Sequence, residues 1–172
     1  GPLQLVDETS VDLGAKIARA TRAAMGDAYP DAAVDEVIFW MEDEKRLGRK
    51  TAAGFYSYDE KGKRTGLWSG LKDKYPTAEE QPALIEVQHR LLFAQVLEAV
   101  RALEEGVLMD IREGDVGAIL GWGFAPWSGG PLSWLDMLGA AYAAERCDTL
   151  TESYGARFSC PKLLREMAQK NQ

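Results

Sequence analysis

Apolar residues recur at helical spacing along most of this chain. Leu3, Leu5 and Val6 follow Gly1-Pro2, where a proline suits a first helical turn, and Thr9-Ser10 can cap a helix predicted over about 11–25. Gly26 and Pro30 stop it. Asp31 is expected to cap the next helix, through roughly Lys45, with Val34, Val37, Ile38 and Met41 on one face and Gly48 past its end. Between Gly48 and Trp68 the pattern changes to glycines and alternating aromatics, Gly54-Phe55-Tyr56-Ser57-Tyr58, and Asp59-Glu60-Lys61-Gly62 reads as a turn. An extended lobe or small hairpin is predicted there. The charged stretch from Lys72 to Pro82 reads as a linker, in which Thr77-Ala78-Glu79-Glu80 has capping-box spacing and Pro82 suits the first turn of the following helix.

Leu84, Val87, Leu91, Leu92, Val96, Val100 and Leu103 then cover a face wider than a surface stripe, which predicts a central, largely buried helix from Leu84 to Glu105. After Gly106 come a short helix from Arg112 to Leu120, a Gly/Trp-rich loop from Gly121 to Gly130, a helix opened by Pro131, and a last one opened by Ser159-Cys160-Pro161 and running to about Gln169. Gly-Pro-Leu-x-x-apolar-Asp occurs twice, as Gly1 to Asp7 and as Gly130 to Asp136. The chain therefore reads as two copies of one helical unit, 1–80 and 81–172. A long helix, a shorter one and a Gly/Trp loop precede the second copy and not the first, so the chain is expected to begin partway through a repeat. Strands and helices do not alternate as they would for a parallel sheet, and the fold class expected is all-α with a small extended lobe around 49–68.

An apolar content of 46% is ordinary for a domain with a real core. The net charge of -7, with acidic residues scattered among basic ones, argues against a phosphate-tracking surface and hence against nucleic acid as a partner. With no apolar run of about 18 residues and no signal-like start, a soluble, cytoplasmic protein without a membrane span is expected. Cys147 and Cys160 lack the short spacing of zinc or redox pairs, so reduced structural thiols are expected and no metal site.

Several motifs invite chemistry. Gly121-Trp122-Gly123 is reminiscent of a dinucleotide loop, but Pro126 stands where a third glycine belongs and a helix, not a strand, precedes it; the glycines are expected instead to allow tight packing while Phe124, Trp127 and Trp134 fill space. His89 lies beside an apolar face and reads as a core or interface histidine satisfied by one hydrogen bond, with no local partner for general-base work. Arg49-Lys50-Thr51 beside Gly54-Phe55-Tyr56 offers cations and amides to an anion; basic residues at a helix C-terminal end are the structural alternative. Glu42-Asp43-Glu44 and Glu79-Glu80 read as solvated faces and caps.

Taken together, four groups of residues in order resemble the C-terminal region of the 3-hydroxyacyl-CoA dehydrogenase family, and more narrowly the α-subunit type of multifunctional fatty-acid β-oxidation enzyme, in which that domain is duplicated. They are Gly1-Pro2-Leu3 with Asp7 and Asp12; Gly48-Arg49-Lys50-Thr51 with Gly54-Phe55-Tyr56 and Tyr58; Arg90-Leu91-Leu92 through Glu98-Ala99 to Leu103-Glu104-Glu105-Gly106; and Gly121-x-Gly123-Phe124-x-Pro126 with Gly129-Gly130-Pro131-Leu132 and Asp136. The resemblance implies duplicated helical domains of the 6-phosphogluconate-dehydrogenase C-terminal type and oxidation of 3-hydroxyacyl-CoA to 3-ketoacyl-CoA. NAD and the catalytic His/Glu pair would belong to an upstream NAD-binding domain, so this chain alone is expected to bind no cofactor, to hold no catalytic residue and to be inactive.

In the family an Asn-Arg pair opens the first helical repeat; the second repeat here has His89-Arg90, and the asparagine's role is not carried over. Ser10 and Ala52 stand where glycines are usual, Ala125 replaces the first of two prolines, and Trp127 takes a Phe-like place. At Leu120 bacterial relatives often carry a tyrosine that reaches the substrate. Gly1, Pro2, Leu3 and Leu5, with Leu120 second, are the implied substrate-side residues. The partners implied are the upstream NAD-binding domain, the acyl-CoA substrate, and a homo-oligomer or a hetero-oligomer with a thiolase. The alternative is a noncatalytic helical dimerisation or docking module of the same fold.

Overall fold

The computed structural model describes residues 1–29 and 33–170, and the chain divides into two compact units, Gly1–Glu79 and Glu80–Gln172. Helix accounts for 69% of it, and the strands among the described residues form one two-stranded sheet. The expectation of an all-α fold with a small lobe is met.

In the first unit α1 (Pro2–Thr9) runs into α2 (Val11–Met25), and α3 (Ala33–Asp43) packs on α2. Pro30 and Asp31, expected as stop and cap, and the Val34 side chain lie outside the described residues. Val11, Met41 and Phe55 form a small core, with Leu3, Val6, Ile38 and Trp68 packed against it. The glycine-aromatic stretch becomes the expected hairpin. Strands β1 (Tyr56–Tyr58) and β2 (Arg64–Leu67) pair antiparallel, with Tyr56 opposite Leu67 and a bulge after Ser57. The Asp59 carboxylate accepts the Lys61 and Lys63 amides at 2.9 Å each, which closes the turn. A five-residue helix, α4 (Gly70–Lys74), runs into the start of the expected linker, which begins at Lys72.

Ser10 occupies the N-cap position of α2, but its hydroxyl bonds to the Asp12 carboxylate rather than to a helix amide, and its φ is +88°. The same junction in the second unit is Gly139, at φ +84° and ψ 136° against +88° and 128° for Ser10. A glycine suits that place because a Cβ is strained at positive φ. Ser10→Gly is therefore expected to stabilise the first unit by about 1 kcal/mol, read as a higher urea midpoint at unchanged slope. A lower midpoint would mean that the hydroxyl bond to Asp12 outweighs the backbone strain.

The second unit contains α5 (Leu84–Glu104), α6 (Ile111–Trp122), α7 (Pro131–Leu138), α8 (Ala140–Tyr154) and α9 (Lys162–Gln169). Its core is larger, with Phe93, Val96 and Leu97 of α5 against Leu132, Trp134 and Leu135 of α7 and Leu150 of α8. Three expectations need correction. Helix α5 is not buried along its whole apolar face: Leu84 and Leu91 are exposed, and the buried line runs His89, Phe93, Val96, Leu97, Val100. The capping-box residues do not start it, since Ala83 is the N-cap and carries no side-chain bond. Trp127 does not fill the core but is 71% exposed, while Phe124 and Trp134 are buried. Helix α8 has no wide apolar stripe to announce it. Its inner face is made of Ala140, Ala143, Ala144, Cys147 and Leu150, mostly small residues that allow close packing.

The two units repeat in register. Helices α7, α8 and α9 start 129 residues after α1, α2 and α3 respectively, at 131, 140 and 162 against 2, 11 and 33. Short 3-10 turns, Gly26–Ala28 and Ala156–Phe158, follow α2 and α8 in the two copies.

Candidate functional site

The first Gly-Pro-Leu helix is held by a buried carboxylate. Asp7, on the last turn of α1, accepts the Phe55 amide at 2.8 Å, the Tyr56 amide at 3.0 Å and the Tyr58 hydroxyl at 2.9 Å. All of its donors come from the hairpin lobe, so this one side chain locks lobe to helix. The lobe can approach only because Gly48 and Gly54 lack a Cβ: at Gly54 it would overlap the Asp7 carboxyl, and at Gly48 it would lie 2.9 Å from the Asp7 Cα. Burial, and then the bond to the Asp7 carboxylate, push the Tyr58 phenol up to about 12. Arg46 ties the lobe from the other side, donating to the Gly54 and Tyr56 carbonyls at 2.9 and 3.2 Å and lying over the Trp68 ring.

The basic turn does not present free cations. Arg49 pairs with Glu8 at 3.1 Å and Lys50 with Asp12 at 2.6 Å, while the Thr51 hydroxyl bonds to the Gly48 and Ala53 carbonyls. The Lys50 ammonium, with the Ser10 hydroxyl, holds the Asp12 carboxyl down at about 2. An anion would have to displace these pairs, so the turn is a clamp on α1 and α2 rather than an anion cradle.

Of the expected substrate-side residues, Gly1 and Pro2 are exposed at the start of α1, and Leu5 is 63% exposed; Leu3 is half-buried against the core. The repeat register shows what such a surface does elsewhere in the molecule. Leu3, Leu5 and Val6 correspond to Leu132, Trp134 and Leu135, all buried in the second unit's core with α5. The α1 face thus has the shape of a surface that is covered in its counterpart.

The second helix is anchored differently. Asp136, the counterpart of Asp7, is exposed. Asp115 of α6 instead binds the N-terminal end of α7, accepting the Leu132 amide at 2.7 Å, the Ser133 amide at 3.1 Å and the Ser133 hydroxyl at 2.6 Å. A buried carboxylate among the free amides of a first helical turn satisfies donors that the helix cannot, and complements its dipole. No local pattern marks Asp115 in the sequence, because its partners lie 17 and 18 residues away.

Leu120 lies on α6 at 80% exposure, in the other unit from Gly1 to Leu5, and neither unit gathers all five residues. Beside it, α5 and α6 enclose an apolar groove of about 650 Å³ floored by Ala94, Ala99, Gly114, Gly117 and Ala118 and bounded by Trp122. Leu120 itself is not in its wall. Gly121-Trp122-Gly123 ends α6: Gly123 is a left-handed stop at φ +75°, and the Phe124 amide turns back to the Ala118 carbonyl. Amides at a helix C-terminal end do not point at a pyrophosphate, so these glycines do not fit a dinucleotide.

His89 is 6% exposed. Its Nδ1 accepts from Arg146 Nε at 3.0 Å, and Arg146 also pairs with Glu86. Burial, then the arginine charge, lower its pKa, so the ring is neutral. Cys147 and Cys160 are free thiols, and burial raises Cys147 to about 12.

Residues 1–58 match the family described as 3-hydroxyacyl-CoA dehydrogenase, C-terminal domain. The chain is 37% identical to the fatty acid oxidation complex subunit alpha of Shewanella loihica, over 98% of this chain and 24% of that protein. The same subunit from Shewanella baltica is 35% identical over 99% of this chain and 24% of that protein. Among solved structures, the dehydrogenase part of multifunctional enzyme 1 from C. elegans is similar with a TM-score of 0.69 and 25% identity, over 97% of this chain and 38% of that one. The chain therefore spans about a quarter of the length of the curated relatives it matches.

Proposed function

We propose that this chain is the C-terminal helical part of an NAD-dependent 3-hydroxyacyl-CoA dehydrogenase of fatty-acid β-oxidation, a reading supported by the match of residues 1–58 to the 3-hydroxyacyl-CoA dehydrogenase C-terminal domain family. The observation that carries this reading is the whole-length match to fatty acid oxidation α-subunits by a chain whose two units repeat in register. The two units are the two domain repeats, divided near residue 80. The dehydrogenase oxidises the 3-hydroxyl of an acyl-CoA to a ketone, and NAD supplies the hydride acceptor when bound.

NAD belongs to a preceding domain, since the Gly-Trp-Gly segment here does not fit it. The role of this chain is positioning and exclusion of water, which raise rate without proton transfer. Gly1, Pro2, Leu3 and Leu5 are the substrate-side residues of the first unit and, secondarily, Leu120 that of the second, with other surfaces serving interdomain contacts. A homo-oligomer, or a hetero-oligomer with a thiolase, is the assembly that goes with this reading, in the cytoplasm. No described helix is long and apolar enough to cross a membrane.

The test is NAD reduction by the protein translated from the complete native reading frame, with short-chain and long-chain 3-hydroxyacyl-CoA. The complete protein is expected to turn over both and the 172-residue chain neither. Leu5→Arg and Leu120→Arg should each lower long-chain kcat/KM by about tenfold, the share of one leucine side chain's apolar contact. Unchanged turnover in either variant would remove that residue from the substrate side. A complete protein without NAD reduction would leave a noncatalytic helical docking module.

A further inference from the structure

The second unit has another cavity, separate from the groove between α5 and α6. It measures about 440 Å³ and is bounded by Ile85, Leu91, Leu92, Trp127, Trp134 and Leu138, with Gln88 and His89 in the wall. That volume lies within the range of small-molecule sites, and an apolar lining with a few well-placed polar groups is their usual make-up.

Of the two polar side chains in the lining Gln88 is exposed, and the buried one, His89, is fixed in one state. Arg146 donates to His89 Nδ1 and is itself held by Glu86, so Nδ1 has no proton and the ring's proton is on Nε2. The imidazole is wedged edge-on among Phe93, Trp134 and Tyr142, which bars it from turning over. Its Nε2–H has no hydrogen-bond partner among the described residues. It is not sealed off either, because Thr151 Oγ1 is the unpartnered side-chain atom found fully enclosed among them. The donor therefore opens onto the cavity that the ring lines.

We propose that this cavity is a binding site for a neutral, apolar ligand with one hydrogen-bond acceptor, the carbonyl of a medium-length acyl or alkyl-ketone chain, with His89 Nε2–H donating to that oxygen and the leucines and tryptophans enclosing the chain. An anionic head is disfavoured, since the nearby guanidinium is already neutralised by Glu86. A ligand without an acceptor would leave a buried N–H unpaired, which the site is built to avoid. The site does not depend on the dehydrogenase reading, and its test needs no turnover.

This chain has one histidine, so its ring signals in a long-range nitrogen–proton NMR correlation need no assignment. Hexyl methyl ketone, the probe, is titrated into the 172-residue chain, with para-xylene as an apolar control that lacks a strong acceptor. The expected result is a ring protonated at Nε2 and a saturable shift of that resonance with the ketone but not with xylene. His89→Phe should weaken the ketone about three- to tenfold, the share of one hydrogen bond, and leave xylene affinity unchanged. Ile85→Arg, at an exposed position of the cavity wall, should weaken both. A ring protonated at Nδ1, no saturable shift, or equal shifts with ketone and xylene would each overturn the proposal, and these wild-type readings stand even if a variant fails to fold.

Discussion

Asp7→Ala is expected to destabilise the first unit by about 4 kcal/mol, a large share of the stability of a small domain. Three donors converge on this one buried carboxylate, and truncation leaves the Phe55 amide without its partner in a buried position, with the Tyr56 amide and the Tyr58 hydroxyl beside it. Each bond to a charged acceptor contributes about 1.5–3 kcal/mol, and solvent entering the vacated space recovers part of the loss. Urea unfolding, with amide exchange at Phe55 and Tyr56 as the local readout, measures it. Asp7→Asn should fall between the two, since an amide keeps one acceptor oxygen but turns an NH₂ toward donors.

The same variant has a spectroscopic signature. In the wild type Tyr58 ionises at about 12, because burial and the Asp7 carboxylate both favour the neutral phenol. In Asp7→Ala it should move back toward the ordinary value near 10. The sign follows from linkage: a phenol whose folded pKa is raised contributes stability that is fully present below pH of about 10 and is lost as pH rises toward about 12. An ultraviolet tyrosinate titration in which Asp7→Ala leaves the slowest-titrating phenol in place would show that burial alone accounts for the shift.

Gly130→Ala is the second large effect, at about 3 kcal/mol or more in the second unit. Gly130 stands at φ +122°, and a Cβ there would lie 2.5 Å from the Asp115 Cα, so backbone would have to yield. Moving α7 away also breaks the bonds from Asp115 to Leu132 and Ser133. Asp115→Ala removes the same bonds without the clash and should cost about 2 kcal/mol. The comparison separates steric from polar loss, and equal urea midpoints for the two variants would show that the clash relaxes at no cost. By contrast the Arg49–Glu8 and Arg112–Asp110 pairs are exposed on at least one side, and solvent screening leaves exposed pairs of this kind little to contribute.

Much of this protein is written in local pattern. The 3.6-residue spacing of α2, α5 and α9 depends on residues within two turns of each other, as do the proline starts of α1 and α7 and the turn chemistry at Asp59, so reading along the chain finds them. The repeat of Gly-Pro-Leu-x-x-apolar-Asp likewise announced two like units, and the helices that follow each copy keep one offset. Helix α8 escaped because small residues carry its packing, and small residues have little apolar signal.

What the pattern could not decide is which of two identical letters is buried. Asp7 and Asp136 hold the same place in the repeat, yet one is enclosed by donors from a hairpin 48 to 51 residues away and the other is exposed. Leu5 and Trp134 are likewise equivalent, and the tryptophan is buried in a core built with α5. The protonation of His89 is set by Arg146, 57 residues downstream. Periodicity along a chain determines which elements form and which face of each is apolar. Burial, hydrogen-bond partners and proton positions are properties of the surfaces that those faces meet, and distant segments meet only in the folded structure.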